Sequence, residues 1–414
     1  PGCAHGGEGA PVTGPAHGTA PLALRGRVVT EHGELPGGLV VVEGDAIAWV
    51  GPLSEAPREV AALAAGAGEV GTVLPGLVDL HCHGGGGVGF PDATSAEQAR
   101  AVATEHLRHG TTTLVASLVT ADAEDLAARA AVLGELVVSG ELGGIHLEGP
   151  FLAPARAGAQ TAERMVAGDP ELVHRLAAVV PRSLVMMTMA PEVDGVLDGV
   201  LDAVVAAGAV PAFGHTDASA AQVTRAVTRA RRLLAGGPRS RRPVATHVFN
   251  GMRPLHHRDP GPIPVLLSAA HRGEVVVELI ADGVHLSAEV IRMVFELVGA
   301  QGIALVTDAM SGAGMPDGFY SLGPTKVQVT DRVARLVRGG AIAGGTGHLL
   351  DVVRTTVAAG VALVDAVRAA ATTPADVLGR GDIGALAAGR RADLVVVDDG
   401  LHPVRVMRAG HWVS

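Results

Sequence analysis

The sequence predicts an α/β protein: a (β/α)8 TIM-like barrel with a small β-sandwich domain formed from both chain ends. Three observations lead there. Apolar, strand-like runs alternate with helix-period segments about eight times through the middle of the chain. Both ends are β-rich and lack that alternation. The polar residues with metal-binding chemistry fall where predicted strands end, the face on which a barrel collects its catalytic groups.

The elements follow in order. Residues 22–29, 38–43 and 46–50 read as short strands separated by glycine turns, and 71–79 as a further strand after an alanine-rich stretch. Buried strands are expected at 112–118, 144–147, 184–189, 210–213, 244–249, 275–280 and 303–306. Helical periodicity occupies 95–109, 123–139, 170–180, 193–207, 219–234 and 287–298. A hairpin-like insertion at 314–340 precedes the last helices, and 392–397 and 404–406 return to strand. These segments place a β-domain at 21–74 and 376–414, a barrel at 75–375 and a tail at 1–20. A doubly wound open sheet is the structural alternative, although no Gly-x-Gly-x-x-Gly turn follows the first middle strand.

Composition narrows the function classes. The 414 residues carry a formal charge of −10, which argues against general binding of nucleic acid or anionic membranes. Seven arginines between Arg225 and Arg242 form a local basic stretch, read as a solvated helix end and loop. No apolar run approaches the ~18 residues of a membrane span. The first twenty residues lack the basic start and apolar run of a signal peptide, so a disordered tail is expected there. Cys3 and Cys82 are the only cysteines, which excludes a disulfide framework and points to a reducing cytoplasm.

The chemistry begins at His81-Cys82-His83, which ends an apolar run and enters a four-glycine loop. Residues two apart on a strand share a side, so His81 and His83 can reach one metal while Cys82 faces away as a buried filler. Glu148, His215, His247 and Asp308 sit at the ends of later predicted strands. Imidazoles and carboxylates without a paired thiolate favour zinc or a similar divalent metal in an open catalytic site. In such a site Asp308 would take a proton from water and return it to a leaving amine, which is hydrolysis of an amide-type bond. That chemistry needs no organic cofactor.

These segments together resemble the amidohydrolase superfamily, and more closely its N-acetylglucosamine-6-phosphate deacetylase family. The resemblance rests on Pro75-Gly76-Leu77-Val78-Asp79 before His81-Cys82-His83, on His146-Leu147-Glu148-Gly149-Pro150-Phe151, and on Gly214-His215-Thr216. It continues through Thr246-His247-Val248-Phe249-Asn250-Gly251-Met252, His256-His257-Arg258-Asp259-Pro260-Gly261, Ala281-Asp282-Gly283-Val284-His285 and Val306-Thr307-Asp308-Ala309-Met310. The closing Gly389-Arg390-Arg391-Ala392-Asp393-Leu394-Val395-Val396 is similar to the superfamily's general C-terminal strand.

The resemblance implies that Glu148, His215 and His247 bind a principal metal, that His81 and His83 offer a second site, and that Asp308 is the acid/base. One or two ions per chain are compatible with it. It implies that Asn250, Gly251 and Arg258 hold a sugar phosphate, with Arg258 reaching across a homodimer interface. It implies that His285 contacts the sugar or its acetamido carbonyl, and that Asp282, Ile342, Ala343 and Gly344 line the pocket. His146 is expected to pack behind the ligands, and Arg156 to sit on a pocket loop. Gln160 departs from the pattern, since the family often has a histidine there; an amide can still hydrogen-bond substrate but cannot carry charge.

Two rival functions remain at this stage. One is another amidohydrolase acting on a different N-acyl substrate, such as a dihydroorotase-like enzyme. Many such enzymes bridge two metals with a carboxylated lysine on a middle strand, whereas the single lysine here, Lys326, lies in the late insertion. Any bridge would therefore be Glu148. The other rival is a non-catalytic sugar-phosphate binder, against which the joint presence of all the ligand candidates and Asp308 argues.

Overall fold

The computed structural model describes residues 20–414. The expected tail, apart from its last residue, and Cys3 lie outside the described residues. Eight parallel strands run in sequence order around one sheet: Leu77–Cys82, Thr111–Leu118, Gly144–Glu148, Leu184–Met189, Val210–Phe213, Val244–Ala245, Val276–Leu279 and Ile303–Leu305. The ends meet. A parallel bridge joins Cys82 to Ala309, and the Asp308 and His83 amides donate to the His81 and Ala309 carbonyls at 2.9 and 2.7 Å. The sheet is thus a closed barrel, and the open-sheet alternative is excluded.

Helices cover the outside because their apolar stripes match the strands. The helix Ala96–Arg108 starts where the Ser95 side chain accepts from the Gln98 amide, and Ala220–Leu234 starts at a capping box of Ser219 and Gln222. Periodicity predicted a helix from 193, but Gly195 adopts φ +81° and helical backbone begins only at Val196, as a π-turn leading into Leu201–Ala206. Inside the barrel, alternate strand residues such as Val78, Leu80, Val210, Val244, Val276 and Val306 pack with Ala375, Val377 and Leu378, which close one end. Small β-branched side chains suffice because a barrel of this size is filled by side chains.

Both chain ends join one seven-stranded sheet, ordered His411–Trp412, Pro403–Arg408, Leu394–Val397, Glu69–Pro75, Leu22–Thr30, Gly33–Glu43 and Ala46–Pro52. Its faces bury Leu24, Val40, Ile47 and Val396 on one side, and Leu39, Val41 and Ala64 on the other. The single strand expected at 71–79 is in fact two, split at Gly76 between this sheet and the barrel. Gly76 donates to the Asp393 carbonyl at 2.9 Å, and an added Cβ there would lie 2.2 Å from Thr112 Oγ1 and 2.8 Å from Asp393 Cβ. Gly76→Ala is therefore expected to destabilise the protein by about 1–3 kcal/mol through overpacking. Denaturant unfolding would read this, and an unchanged midpoint would show that the junction can yield.

The insertion forms three antiparallel strands, Gly318–Leu322, Thr325–Thr330 and Val333–Leu336, one more than a hairpin. It packs Leu322, Val327 and Val329 on Val119, Met310 and Ala343 at the barrel mouth. Lys326 is exposed on it, off the barrel. No helix among the described residues is long and apolar enough to cross a membrane.

Candidate metal and active site

The carboxylate of Glu148 lies at the centre of four imidazoles. Its Oε1 is 3.0 Å from His215 Nε2, 2.9 Å from His247 Nε2 and 3.6 Å from His81 Nε2, while Oε2 is 3.1 Å from His83 Nε2. The residues divide into two metal-capable groups, His81–His83–Glu148 and Glu148–His215–His247, both buried and sharing Glu148. Asp308 Oδ1 stands 3.3 Å from His83 Nε2 and 3.5 Å from His81 Nε2.

The outer ring nitrogens explain why the inner ones converge. His81 Nδ1 meets Glu278 Oε2 at 3.1 Å, His83 Nδ1 the Ser117 carbonyl at 3.1 Å, and His215 Nδ1 the Arg156 carbonyl at 2.8 Å. Each partner accepts, so Nδ1 carries the proton and Nε2 presents its lone pair inward. His247 Nδ1 makes no such hydrogen bond, yet its Nε2 also points inward: His81 meets His83, and His215 meets His247, nitrogen to nitrogen at 3.1 Å. Converging lone pairs around a carboxylate, with no thiolate, are the donor chemistry of a divalent ion. The residues fit one.

The carboxylates draw positive charge into this centre. Burial opposes charge on His81, but the Glu148 and Asp308 carboxylates outweigh it and hold the imidazole well above its usual range, so a proton competes with an ion for the His81 Nε2 lone pair. The same attraction holds Glu148 well below the carboxylate range, and keeps Asp308 down at about 2 against its burial. Asp79, two residues before His81 on the same strand, is pushed up by burial to about 7. It accepts the Thr307 hydroxyl at 2.6 Å and so ties the first strand to the one that carries Asp308.

Local backbone aims these side chains. His215, His247 and Asp308 all adopt left-handed conformations, with φ of 47°, 28° and 46°. Each costs a non-glycine residue about 1–3 kcal/mol, a strain typical of functional sites and invisible in composition or periodicity. Gly251 is left-handed too, and a Cβ there would press within 2.8 Å of His215 Nδ1.

A cavity of about 230 Å³ opens above this centre. His83, Glu148, His215, His247 and Asp308 face it together with Gln160, Asn250, Gly251, His285, Ile342 and Gly344. His81 lies beneath, fully buried, and Ala343 is buried between its two lining neighbours. Asp282 stands behind His285: its Oδ2 takes His285 Nδ1 at 2.8 Å, and its Oδ1 accepts the Val284 and His285 amides. Burial opposes a charge on His285, and this carboxylate raises its pKa all the same. The Gln160 amide bridges the site internally, accepting the Thr120 N–H and donating to Glu148 Oε2.

Arg258 is the site residue that the chain does not bring in. It is exposed, with its guanidinium 2.8 Å from His257 Nε2, and the cavity lining contains no arginine or lysine. His146 packs edge-on against His81 with ring centroids 4.6 Å apart, held by Ser117 and Thr188 hydroxyls. Cys82 is fully buried beside His106. Arg156 is partly buried, paired with Asp217, and its carbonyl orients His215.

Two other features carry no comparable chemistry. Glu105, His109 and His348 also cluster, but the two imidazoles stack at 3.6 Å and 8°, so their in-plane lone pairs run parallel and cannot converge on one ion. In the arginine-rich stretch, Arg229 and Arg231 pair with Asp202 and Glu274, and Arg239 and Arg242 donate to backbone carbonyls.

The amidohydrolase family profile matches residues 72–413, most of the described chain. The chain belongs to the amidohydrolase family. Within it, the chain is 33% identical over 344 residues to the N-acetylglucosamine-6-phosphate deacetylase of Lysinibacillus sphaericus, covering 82% of this chain and 84% of that one. It is 31% identical to an N-acetylgalactosamine-6-phosphate deacetylase of Escherichia coli O157:H7, over 94% and 98% of the two chains. Among solved structures, the Mycobacterium smegmatis N-acetyl-D-glucosamine-6-phosphate deacetylase, an Asp-to-Ala variant in complex with N-acetyl-D-glucosamine-6-phosphate, superposes with a TM-score of 0.86. That match has 39% identity and covers 95% of this chain and 100% of the other. The amidohydrolase family and the deacetylase branch are thus the ones the motifs pointed to.

Two carboxylates of this geometry received no role from the sequence: Glu278, which no motif singled out, and Asp79, which appeared only as the last residue of the Pro75–Asp79 motif. Each is a lone carboxylate within an apolar strand, and that contrast was the signal available.

Proposed function

We propose that this amidohydrolase hydrolyses N-acetylglucosamine 6-phosphate to glucosamine 6-phosphate and acetate, as a cytoplasmic step in amino-sugar breakdown. The observation that carries the reading is the shared carboxylate of Glu148 among four inward imidazoles, with Asp308 at the mouth of the same cavity. Glu148, His215 and His247 hold the principal ion, and His81, His83 and Glu148 a second. Zinc suits these ligands best. When bound there, such an ion supplies Lewis acidity and lowers the pKa of water toward ~7.

The chain's own residues do the rest. Asp308, ionised and facing the cavity, takes a proton from the attacking water and returns it to the departing amine. His285, favoured in its doubly protonated form by Asp282, donates from Nε2 to the acetamido oxygen or a sugar hydroxyl. Asn250 and the Gly251 backbone hold the phosphate end. Since no arginine or lysine lines the cavity, the phosphate end lacks a guanidinium or ammonium partner there, and Arg258 of a second copy supplies one in a homodimer. The exposed Leu255 beside it suits such an interface.

Acetate release measured on N-acetylglucosamine with and without the 6-phosphate, alongside metal analysis, tests the reading. The phosphorylated sugar is expected to be strongly preferred; equal rates would remove phosphate recognition. N-acetylgalactosamine 6-phosphate belongs in the same assay, because a deacetylase of that sugar aligns along most of the chain. A faster rate on it would move the assignment to the C4 epimer.

A further inference from the structure

We propose that Glu278 is a positioning residue for the metal centre, fixing the tautomer of His81 and tying that ligand to the strand end that carries His247. The inference rests on the two-ion reading above. Glu278 belongs to the strand Val276–Leu279, whose other residues are apolar, and its side chain is fully buried. A carboxylate in that place loses its hydration, and an apolar residue of similar volume would be at least as stable there. Its contacts give it a purpose. Oε2 accepts His81 Nδ1 at 3.1 Å and the His247 backbone N–H at 3.2 Å. The same strand position also receives the Val248 amide on its carbonyl at 3.0 Å.

The consequences are specific. Glu278 is the only acceptor on His81 Nδ1 among the described hydrogen bonds, so it keeps the proton on Nδ1 and the lone pair on Nε2, 3.1 Å from that of His83. By gripping the His247 amide it also steadies a residue held at φ 28°. One buried side chain therefore orients a ligand from the first barrel strand and one from the sixth.

The test is metal affinity, measured by chelator competition on full-length protein with zinc as the probe, for wild type, Glu278→Gln and Glu278→Leu. Removing outer partners of metal-bound histidines weakens affinity by about 10–100-fold. The Leu variant is expected to lose the His81–His83 ion by that factor while keeping the Glu148–His215–His247 ion more tightly. The Gln variant, which retains an acceptor but no charge, is expected to fall between. A role confined to folding would lower the melting temperature and leave affinities unchanged, and folded variants with wild-type affinities would overturn the proposal. Should the Leu variant not fold, the Gln variant decides by the same criterion. Wild type binding fewer than two ions would defeat the two-ion reading and this inference with it; two ions bound with equal affinity in wild type and variants would defeat this inference alone.

Discussion

Asp308→Asn is expected to fold, to retain metal, and to lose about two to four orders of magnitude in kcat, the usual span for a positioned acid/base. The substitution is nearly isosteric. The Asp308 amide still donates to the His81 carbonyl, and the Ala309 carbonyl still receives His83, so the barrel seam is untouched. What disappears is a carboxylate held ionised by His81 and His83, able to accept a proton and give it back. An amide does neither. KM should move little, because the contacts assigned to the phosphate lie on Asn250 and Gly251, across the cavity. The measurement is acetate release together with metal content of the same preparation. Activity persisting within tenfold would remove Asp308 from proton transfer, and metal loss would assign it to ligation instead.

How much of this was legible in the sequence depends on whether the signal was local. The barrel was, because most buried strands are short apolar runs and most of the helices between them carry their own period, some with a cap such as Ser95 or Ser219. The His81-x-His83 pair was, because a strand's repeat of two fixes its sides without reference to the rest of the chain. Glu148, His215, His247 and Asp308 were legible only as strand-end polar residues, sharpened by resemblance. Their convergence is a product of closure, which brings the last strand beside the first. The left-handed backbone at His215, His247 and Asp308 leaves no mark, since none of them is a glycine. The split at Gly76 was hidden because both halves are apolar and the break lies in hydrogen-bond direction. Glu278 could have been found by asking why an otherwise apolar parallel strand keeps a carboxylate.

Glu148→Ala is expected to have the other large effect, and a diagnostic one: both ions should leave together. Both groups of this centre count Glu148 among their three residues, with Oε1 toward His215 and His247 and Oε2 toward His83. His215→Ala, in contrast, removes a ligand from one group only. If Glu148 bridges, its loss should lower zinc content at both sites by more than the ~10–100-fold that outer partners cost, and acetate release should fall to background. His215→Ala should leave the His81–His83–Glu148 group able to load. Metal analysis of the two variants side by side separates the alternatives: one ion retained in Glu148→Ala would mean that the carboxylate serves a single site, and that the barrel holds its two histidine pairs independently.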